Sequence, residues 1–142
     1  MRVHDPLIAS EVKVRYAETD QMGIAHHANY LVWFEIGRTD LCRAAALPYS
    51  EIEQRGFLLV VTGIECKYRR PFLYDDTVVI QTTVGSIASR AFRFDYVLSG
   101  SDGETRATGS SSHIWLTRDS RRPVKPPADL VAAFARFAKL PA

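Results

Sequence analysis

Two carboxylates, a glycine and two adjacent histidines lie within one short segment, residues 16–30, which reads YAETDQMGIAHHANY. A carboxylate can attack an activated carbonyl carbon, or activate the water that attacks it. Backbone N–H groups at the start of a helix can stabilise the oxyanion that forms. Asp20 is therefore the first candidate for acyl-transfer chemistry, with Glu18 as a second. The alternatives are an aspartate that bonds the backbone of its own turn and a glutamate that is solvated or structural.

The flanking patterns place this segment between a strand and a helix. Before it, apolar and basic residues alternate over residues 11–16, which is typical of a half-buried strand. After it, residues 29–47 carry a stripe at three- and four-residue intervals that predicts a long helix ending near Pro48: Tyr30, Trp33, Phe34, Gly37, Leu41, Ala44 and Ala45. Asp20 then lies near the positive end of a helix dipole.

The second half of the chain predicts an antiparallel sheet. After a short turn of helix at 50–56, four segments show β-type patterns with short connections: residues 57–69, 77–87, 90–98 and 104–116. Leu31, Val32 and Ile36 lie beyond the main stripe of the long helix, so we expect it to be apolar all round. It would then be the central cover of the sheet, which gives an α+β domain. Residues 128–139 predict a short amphipathic helix that packs on its own domain or on a partner subunit.

Composition narrows the function classes. The 142 residues suit one domain, and a net charge of +2 argues against a nucleic-acid-binding face. No apolar run is long enough for a membrane span, and the first residues lack the apolar core of a signal peptide, so we expect a cytoplasmic protein. Cys42 and Cys66 are expected to be buried thiols. The fourteen Arg against four Lys leave room for a few that hold phosphate groups.

The run TDQMGIAHHANY, followed by FEIGRTD, resembles the signature of the 4-hydroxybenzoyl-CoA thioesterase-like family of acyl-CoA thioesterases. The resemblance continues at residues 68–71, at Asp75 and Asp76, and through 107–109 to about Pro123. It therefore covers about residues 10–125. It implies the hotdog fold, in which an antiparallel sheet wraps around one long helix, and hydrolysis of a thioester to a free acid and coenzyme A.

The resemblance also assigns roles to residues. Asp20 matches the family's catalytic carboxylate. His27 would supply an oxyanion-hole N–H, and its ring could orient Asp20 or contact the acyl group. Gly23 would let the loop pass close to the substrate, and the remaining pocket residues would be Ala28, Asn29 and Tyr30. We expect coenzyme A to be held by Arg69, Arg70 and Arg90, no cofactor, and a homodimer or homotetramer.

Several alternatives stay open from the sequence. Glu35 on the helix is a rival to Asp20, or it pairs with Arg38 on the helix surface. Asn29 is a good helix cap by residue type. A metal site is not expected, because adjacent histidines point apart and no His-x₃-His motif is present. The protein could instead be a non-catalytic acyl-CoA-binding module, or a hydratase or dehydratase of the same fold. The acyl group, and coenzyme A against acyl carrier protein, are not determined.

Overall fold

The computed structural model describes residues 8–138. They contain three α-helices, which are α1 (Asn29–Ala44), α2 (Tyr49–Gln54) and α3 (Ala128–Ala135). The strands are β1 (Ile8–Lys13), β2 (Phe57–Tyr68), β3 (Thr77–Ile87), β4 (Ala91–Ser99) and β5 (Thr105–Thr117). None of these helices is long and apolar enough to cross a membrane.

The strands form one antiparallel sheet in the order β1-β3-β4-β5-β2. β3, β4 and β5 are joined by hairpins, as the short connections predicted. The pairing of β2 with β5 shifts register between Val61 and Gly63, an irregularity of the kind that can bend a strand. β1 and β2 are the two edges of the sheet, and β2 is exposed along most of its length.

One face of the sheet forms the core with α1. Alternate residues of β3 and β4 on this face are all buried: Val78, Ile80, Thr82, Val84, Phe92, Phe94, Tyr96 and Leu98. Phe34 of α1 stacks on Tyr96 with ring centroids 4.4 Å apart. Gly37 lies directly over Ile80 and Thr82, so the absence of a side chain lets α1 approach β3 closely. The α+β architecture expected from the pattern is confirmed.

The ends of three elements differ from the predicted bounds. β1 ends at Lys13, although the backbone N–H of Val14 still donates to Asp76 O at 3.0 Å, and residues 16–18 then form one turn of 3₁₀-helix. α1 ends at Ala44, and Ala46 has a positive φ of 62°, which cannot continue a helix. α3 ends at Ala135, and residue 139, the last of the predicted helix, lies outside the described residues. Phe134 of α3 packs against Phe92, Phe94 and Trp115, on its own domain.

Two expectations for α1 are wrong. α1 is not apolar all round, because Glu35, Thr39 and Asp40 lie on its outer side, where Leu31 and Val32 are 38% and 50% exposed in the single chain. Arg38 does not pair with Glu35 on the surface. It is buried, and its Nε and Nη1 donate to the hydroxyls of Tyr49 (2.8 Å) and Tyr96 (3.1 Å). Arg38 is buried because it lies on the same face of α1 as Phe34 and Leu41.

Candidate active site

Asp20 begins a tight turn that follows an isolated β-bridge between Thr19 and Ala25. Its N–H donates to Ile24 O at 2.9 Å, and its carbonyl accepts the N–H of Gly23 at 3.0 Å. Gly23 has a φ of +80°, which is the conformation that glycine adopts without strain. A Cβ at Gly23 would meet nothing within 4 Å in this chain, so the backbone angle alone explains the glycine here. The expected close passage of a substrate stays a prediction.

The carboxylate of Asp20 has one engaged oxygen. Its Oδ1 accepts the N–H of Met22 at 2.8 Å, so the aspartate does bond its own turn. Across residues 8–138, no group donates a hydrogen bond to its Oδ2. The side chain is half-buried at the edge of a cleft. The turn therefore fixes the carboxylate through one oxygen and leaves the other for a reactant.

The start of α1 leaves the backbone N–H of His27 without an acceptor among the described residues. The N–H groups on either side of it are used, since His26 donates to Glu18 O at 2.7 Å and Ala28 donates to His26 Nδ1 at 3.1 Å. The His27 ring stacks on the His26 ring, with centroids 4.2 Å apart, and has no hydrogen bond to Asp20. The free N–H of His27, next to the helix start, can stabilise negative charge.

Asn29 and Glu18 have structural roles. Asn29 does not cap α1, because its Nδ2 donates to Glu18 O (2.9 Å) and His26 O (3.2 Å) and the capping position is Ala28. Glu18 is buried, and its Oε1 accepts the N–H of Arg15 at 2.8 Å. The amide of Asn29 thus ties the loop to the helix, and Glu18 stabilises the turn before it.

A cleft of about 300 Å³ brings together most of the predicted residues. Its walls are formed by Asp20, Met22, Ile24, Ala25, His27, Tyr30, Tyr68, Arg69, Arg70 and Pro71. Gly23, Ala28 and Asn29 flank these residues in sequence but do not line the cleft. Arg90 lies in the β3–β4 turn, at the opposite end of the sheet from β2's Tyr68. Glu35 lines a separate depression on the exposed side of α1.

Aromatic rings form the floor of the cleft. Tyr30 is buried against Trp33 and Tyr68, with centroids 4.9 Å and 4.7 Å away, and burial raises the pKa of its phenol. The hydroxyl of Tyr68 donates to His27 O at 3.0 Å. Burial, followed by the neighbouring Cys66, raises the pKa of Tyr68 to about 12. The sequence does not reveal the bond between Tyr68 and His27, because the alternation in β2 does not show which residue the side chain of Tyr68 contacts.

The corner after β2 is held from behind by Arg106. Its carbonyl accepts the N–H groups of Arg69 (2.8 Å) and Arg70 (3.1 Å). Its guanidinium lies over the ring of Phe72 and bonds Asp76 Oδ2 at 3.1 Å. The side chains of Arg69 and Arg70 are exposed, and within residues 8–138 Arg69 has no ion pair, whereas Arg70 lies 3.5 Å from Glu104. The rim of the cleft therefore offers positive charge. Within the described residues, no three His, Cys, Asp or Glu side chains are arranged to hold a metal ion.

Comparison with known proteins decides the family. The family model described as "Thioesterase-like superfamily" matches residues 14–134. The chain belongs to the thioesterase-like superfamily. Among relatives of this superfamily, YneP of Bacillus subtilis, a candidate acyl-CoA thioesterase, is 40% identical over 115 residues, which span 81% of this chain and 83% of that protein.

Solved structures confirm the hotdog thioesterase fold for this superfamily member. A DHNA-CoA thioesterase from Staphylococcus aureus is 28% identical, with a TM-score of 0.85 over 92% of this chain and 89% of that chain. A protein from Thermus thermophilus, TT1821, is 33% identical, with a TM-score of 0.85 over 91% of this chain and 98% of that chain. The expected likeness to 4-hydroxybenzoyl-CoA thioesterase-like proteins is also confirmed.

Proposed function

We propose that this protein hydrolyses acyl-CoA thioesters to the free acid and coenzyme A, with Asp20 as nucleophile or general base. That it is a thioester hydrolase follows from its family and from relatives that bear that activity in their names. The observation that supports the proposed chemistry is that Asp20 and His27 line the same cleft. Asp20 has a free carboxylate oxygen, Oδ2, and His27 has a free backbone N–H among the described residues.

The reaction needs few groups, because a thioester is already an electrophile with a good leaving group. In the direct route, Asp20 attacks the carbonyl carbon, the C–S bond breaks to release the thiolate, and water hydrolyses the resulting anhydride. In the other route, Asp20 takes a proton from the water that attacks. In both, the carbonyl oxygen becomes an oxyanion, which the N–H of His27 stabilises. Neither route requires a cofactor, and we propose that none is used.

The rim of the cleft supports coenzyme A as the carrier of the acyl group. Arg69 and Arg70 line the cleft with exposed side chains, and guanidinium groups bind phosphates through paired donors. Arg90 is too remote in the same chain to join them, so we propose that it contacts the nucleotide only from a partner subunit. The binding of coenzyme A by these arginines is tested by measuring KM for acyl-CoA and for the matching acyl pantetheine, at low and high salt. Equal KM values for the two substrates would contradict a role for these arginines.

A non-catalytic acyl-CoA-binding module is the alternative. The bond from Met22 N–H to Asp20 Oδ1 favours it, because a turn role is a sufficient reason for an aspartate at this position. Under this alternative the purified protein would bind acyl-CoA and release no thiol. A panel of aromatic, short-chain and medium-chain acyl-CoAs, with thiol release as the signal, separates the two functions.

Replacement of Asp20 by Asn tests the assignment of the carboxylate. The amide oxygen of Asn can still accept the N–H of Met22, so the turn should survive. We expect kcat to fall at least ~10²-fold, as for the loss of an essential base. Glu35→Gln is the matched control, and we expect it to retain activity. Full activity in Asp20→Asn with loss in Glu35→Gln would reverse the assignment. Single-turnover hydrolysis in ¹⁸O-water would label Asp20 only in the nucleophilic route.

We propose further that the working unit is a homodimer or homotetramer located in the cytoplasm. β2 is an edge strand whose outer side pairs with no described strand, and Val60, Val61 and Ile64 on it are 37–41% exposed. Unpaired edges with apolar side chains are normally covered. Pairing of β2 with β2 of a second copy would cover this edge and build the wall of the cleft beside Tyr68 from two chains.

A further inference from the structure

The backbone N–H groups from His26 to Leu31 are almost fully used. His26 donates to Glu18 O, Ala28 to His26 Nδ1, and Asn29 to His26 O. Tyr30 and Leu31 donate to His27 O and Ala28 O, each at 3.3 Å. A helix ordinarily begins with several N–H groups that have no partner. Here His27 alone, among these residues, presents a free N–H.

The direction of that N–H is set by the opposite side of the same peptide group. His26 O accepts two hydrogen bonds from Asn29, one from its backbone N at 3.0 Å and one from its Nδ2 at 3.2 Å. No described peptide bond is cis, so the C=O and N–H of this peptide point in opposite directions. The two bonds from Asn29 therefore turn the N–H of His27 away from the first turn of α1.

The His26 ring holds the next N–H along the chain. Its Nδ1 accepts from Ala28 at 3.1 Å, so that nitrogen carries no proton and the neutral ring has its proton on Nε2. The ring also stacks on that of His27 at an angle of 25°. The side chain is exposed, so burial does not explain why a histidine stands here.

We propose that His26 is a positioning residue for the oxyanion site. Its Nδ1 holds the N–H of Ala28 and fixes the turn, so that the N–H of His27 is presented alone and in one direction. This inference rests on the proposed hydrolysis, in which that N–H meets the oxyanion. Donors that are already oriented need no reorganisation during the reaction, which is the source of their catalytic effect.

Two substitutions separate the acceptor from the ring. His26→Phe keeps a flat ring that can stack and removes the acceptor. His26→Asn removes the ring and supplies an oxygen that can accept the N–H two residues on, as in an Asx turn. We expect kcat to fall on the order of 10-fold in His26→Phe, a fraction of the 10²–10³-fold cost of losing a whole oxyanion donor. In His26→Asn we expect kcat within about two-fold of wild type. We expect KM to be unchanged in both His26→Phe and His26→Asn.

A purely structural role for the ring predicts the reverse order, with His26→Phe more active than His26→Asn, and that result would overturn the inference. Equal losses in the two variants would also overturn it, because they would point to the ring itself. Thr117→Val is the control, since it removes a side-chain acceptor of a backbone N–H, that of Arg122 at 3.4 Å, at the opposite end of the sheet from Tyr68. We expect its kcat to match wild type.

The outcomes also keep the inference apart from the proposed function. A wild-type protein that releases no thiol from any acyl-CoA contradicts the function itself. A wild-type enzyme that loses activity in Asp20→Asn but keeps full kcat in His26→Phe supports the function and refutes the role of His26. His26→Ala removes the same acceptor and serves if His26→Phe does not fold, with unfolding curves measured for every variant.

Discussion

The hydroxyl of Tyr68, the last residue of β2, donates a hydrogen bond of 3.0 Å to the carbonyl oxygen of His27. The edge strand is thereby connected to the residue whose N–H is free. The phenol carries its proton at neutral pH, as a tyrosine of ordinary pKa does, so its hydroxyl is available as the donor. This bond connects the proposed oxyanion site to β2, so its geometry should depend on the position of that strand.

Tyr68→Phe removes this hydrogen bond and keeps the ring against Tyr30. A neutral hydrogen bond contributes about 1 kcal/mol net, which corresponds to about a five-fold change in rate. We therefore expect kcat/KM, measured by thiol release, to fall about five-fold. Tyr74→Phe is the control, because the Tyr74 hydroxyl bonds no described residue. Equal kcat/KM for Tyr68→Phe and wild type would show that the bond from Tyr68 to His27 O does not affect catalysis.

Gly37→Ala should destabilise the fold through α1 and β3. A Cβ at this position would lie 2.7 Å from Ile80 Cγ2 and still closer to Thr82 Oγ1. Overpacking costs about 1–3 kcal/mol, and the better helix propensity of Ala returns up to about 1 kcal/mol. We expect a net loss of about 1–2 kcal/mol in the free energy of unfolding, measured in urea. Gly63→Ala, where a Cβ meets nothing within 4 Å, should change it little.

A buried polar chain predicts a dependence of stability on pH. Tyr96 OH lies between Arg38 Nη1 (3.1 Å) and Ser111 Oγ (2.6 Å), and Ser111 bonds His113 Nε2 at 2.7 Å. Burial, followed by the charge of Arg38, lowers the pKa of His113 to about 3. Histidine in an unfolded chain has a pKa of about 6.5. Between pH 3 and about pH 6.5, the unfolded state therefore binds a proton at His113 that the folded state does not.

Stability should therefore be lost as pH falls from about 6.5 towards 3, and kept above 6.5. For His113 alone we expect a loss of about 2 kcal/mol in the free energy of unfolding between pH 7.5 and pH 5. His113→Gln can still bond Ser111 and cannot titrate. Its curve of unfolding free energy against pH should be flatter than that of wild type by this amount. Parallel curves would mean that His113 is not buried as a neutral ring.

The assembly can be tested with one charge on the edge strand. Light scattering should give wild type a mass of at least twice 15.9 kDa. Ile64→Lys puts a charge on the exposed edge, and we expect a monomer with little activity. Val32→Lys, on the exposed face of α1, tests the other open surface. Dissociation by Val32→Lys and not by Ile64→Lys would move the interface from the edge strand to the helix.

The sequence predicted the strands well, because alternation records which side chains face the core. Phe92, Phe94 and Tyr96 are buried as the pattern requires. The order of the strands, with β2 at an edge, depends on pairings between distant segments that no local pattern contains. The charge of Arg38 favours the helix surface, but its position in the helix decides where it lies. It follows Phe34 by four residues, on the buried stripe of α1.

The candidate site was predicted in part. Asp20, His27 and Tyr30 could be grouped, since one short loop and the helix after it carry all three. Tyr68 and Arg106 could not, because Tyr68 reaches this loop from β2, and Arg106 of β5 holds the corner after β2 through its bonds to Arg69, Arg70 and Asp76. The residue type of Asn29 predicts a helix cap, whereas its amide bonds carbonyl oxygens of the loop, which depends on how the turn folds back.

The open edge of β2 has a consequence for regulation. If the cleft is completed only when two such edges meet, catalytic output depends on the square of the chain's abundance at low concentration. A cell that makes little of the protein would then hold most of it as inactive single chains. Dilution would switch the enzyme off without any effector, and specific activity would rise with expression until pairing is complete.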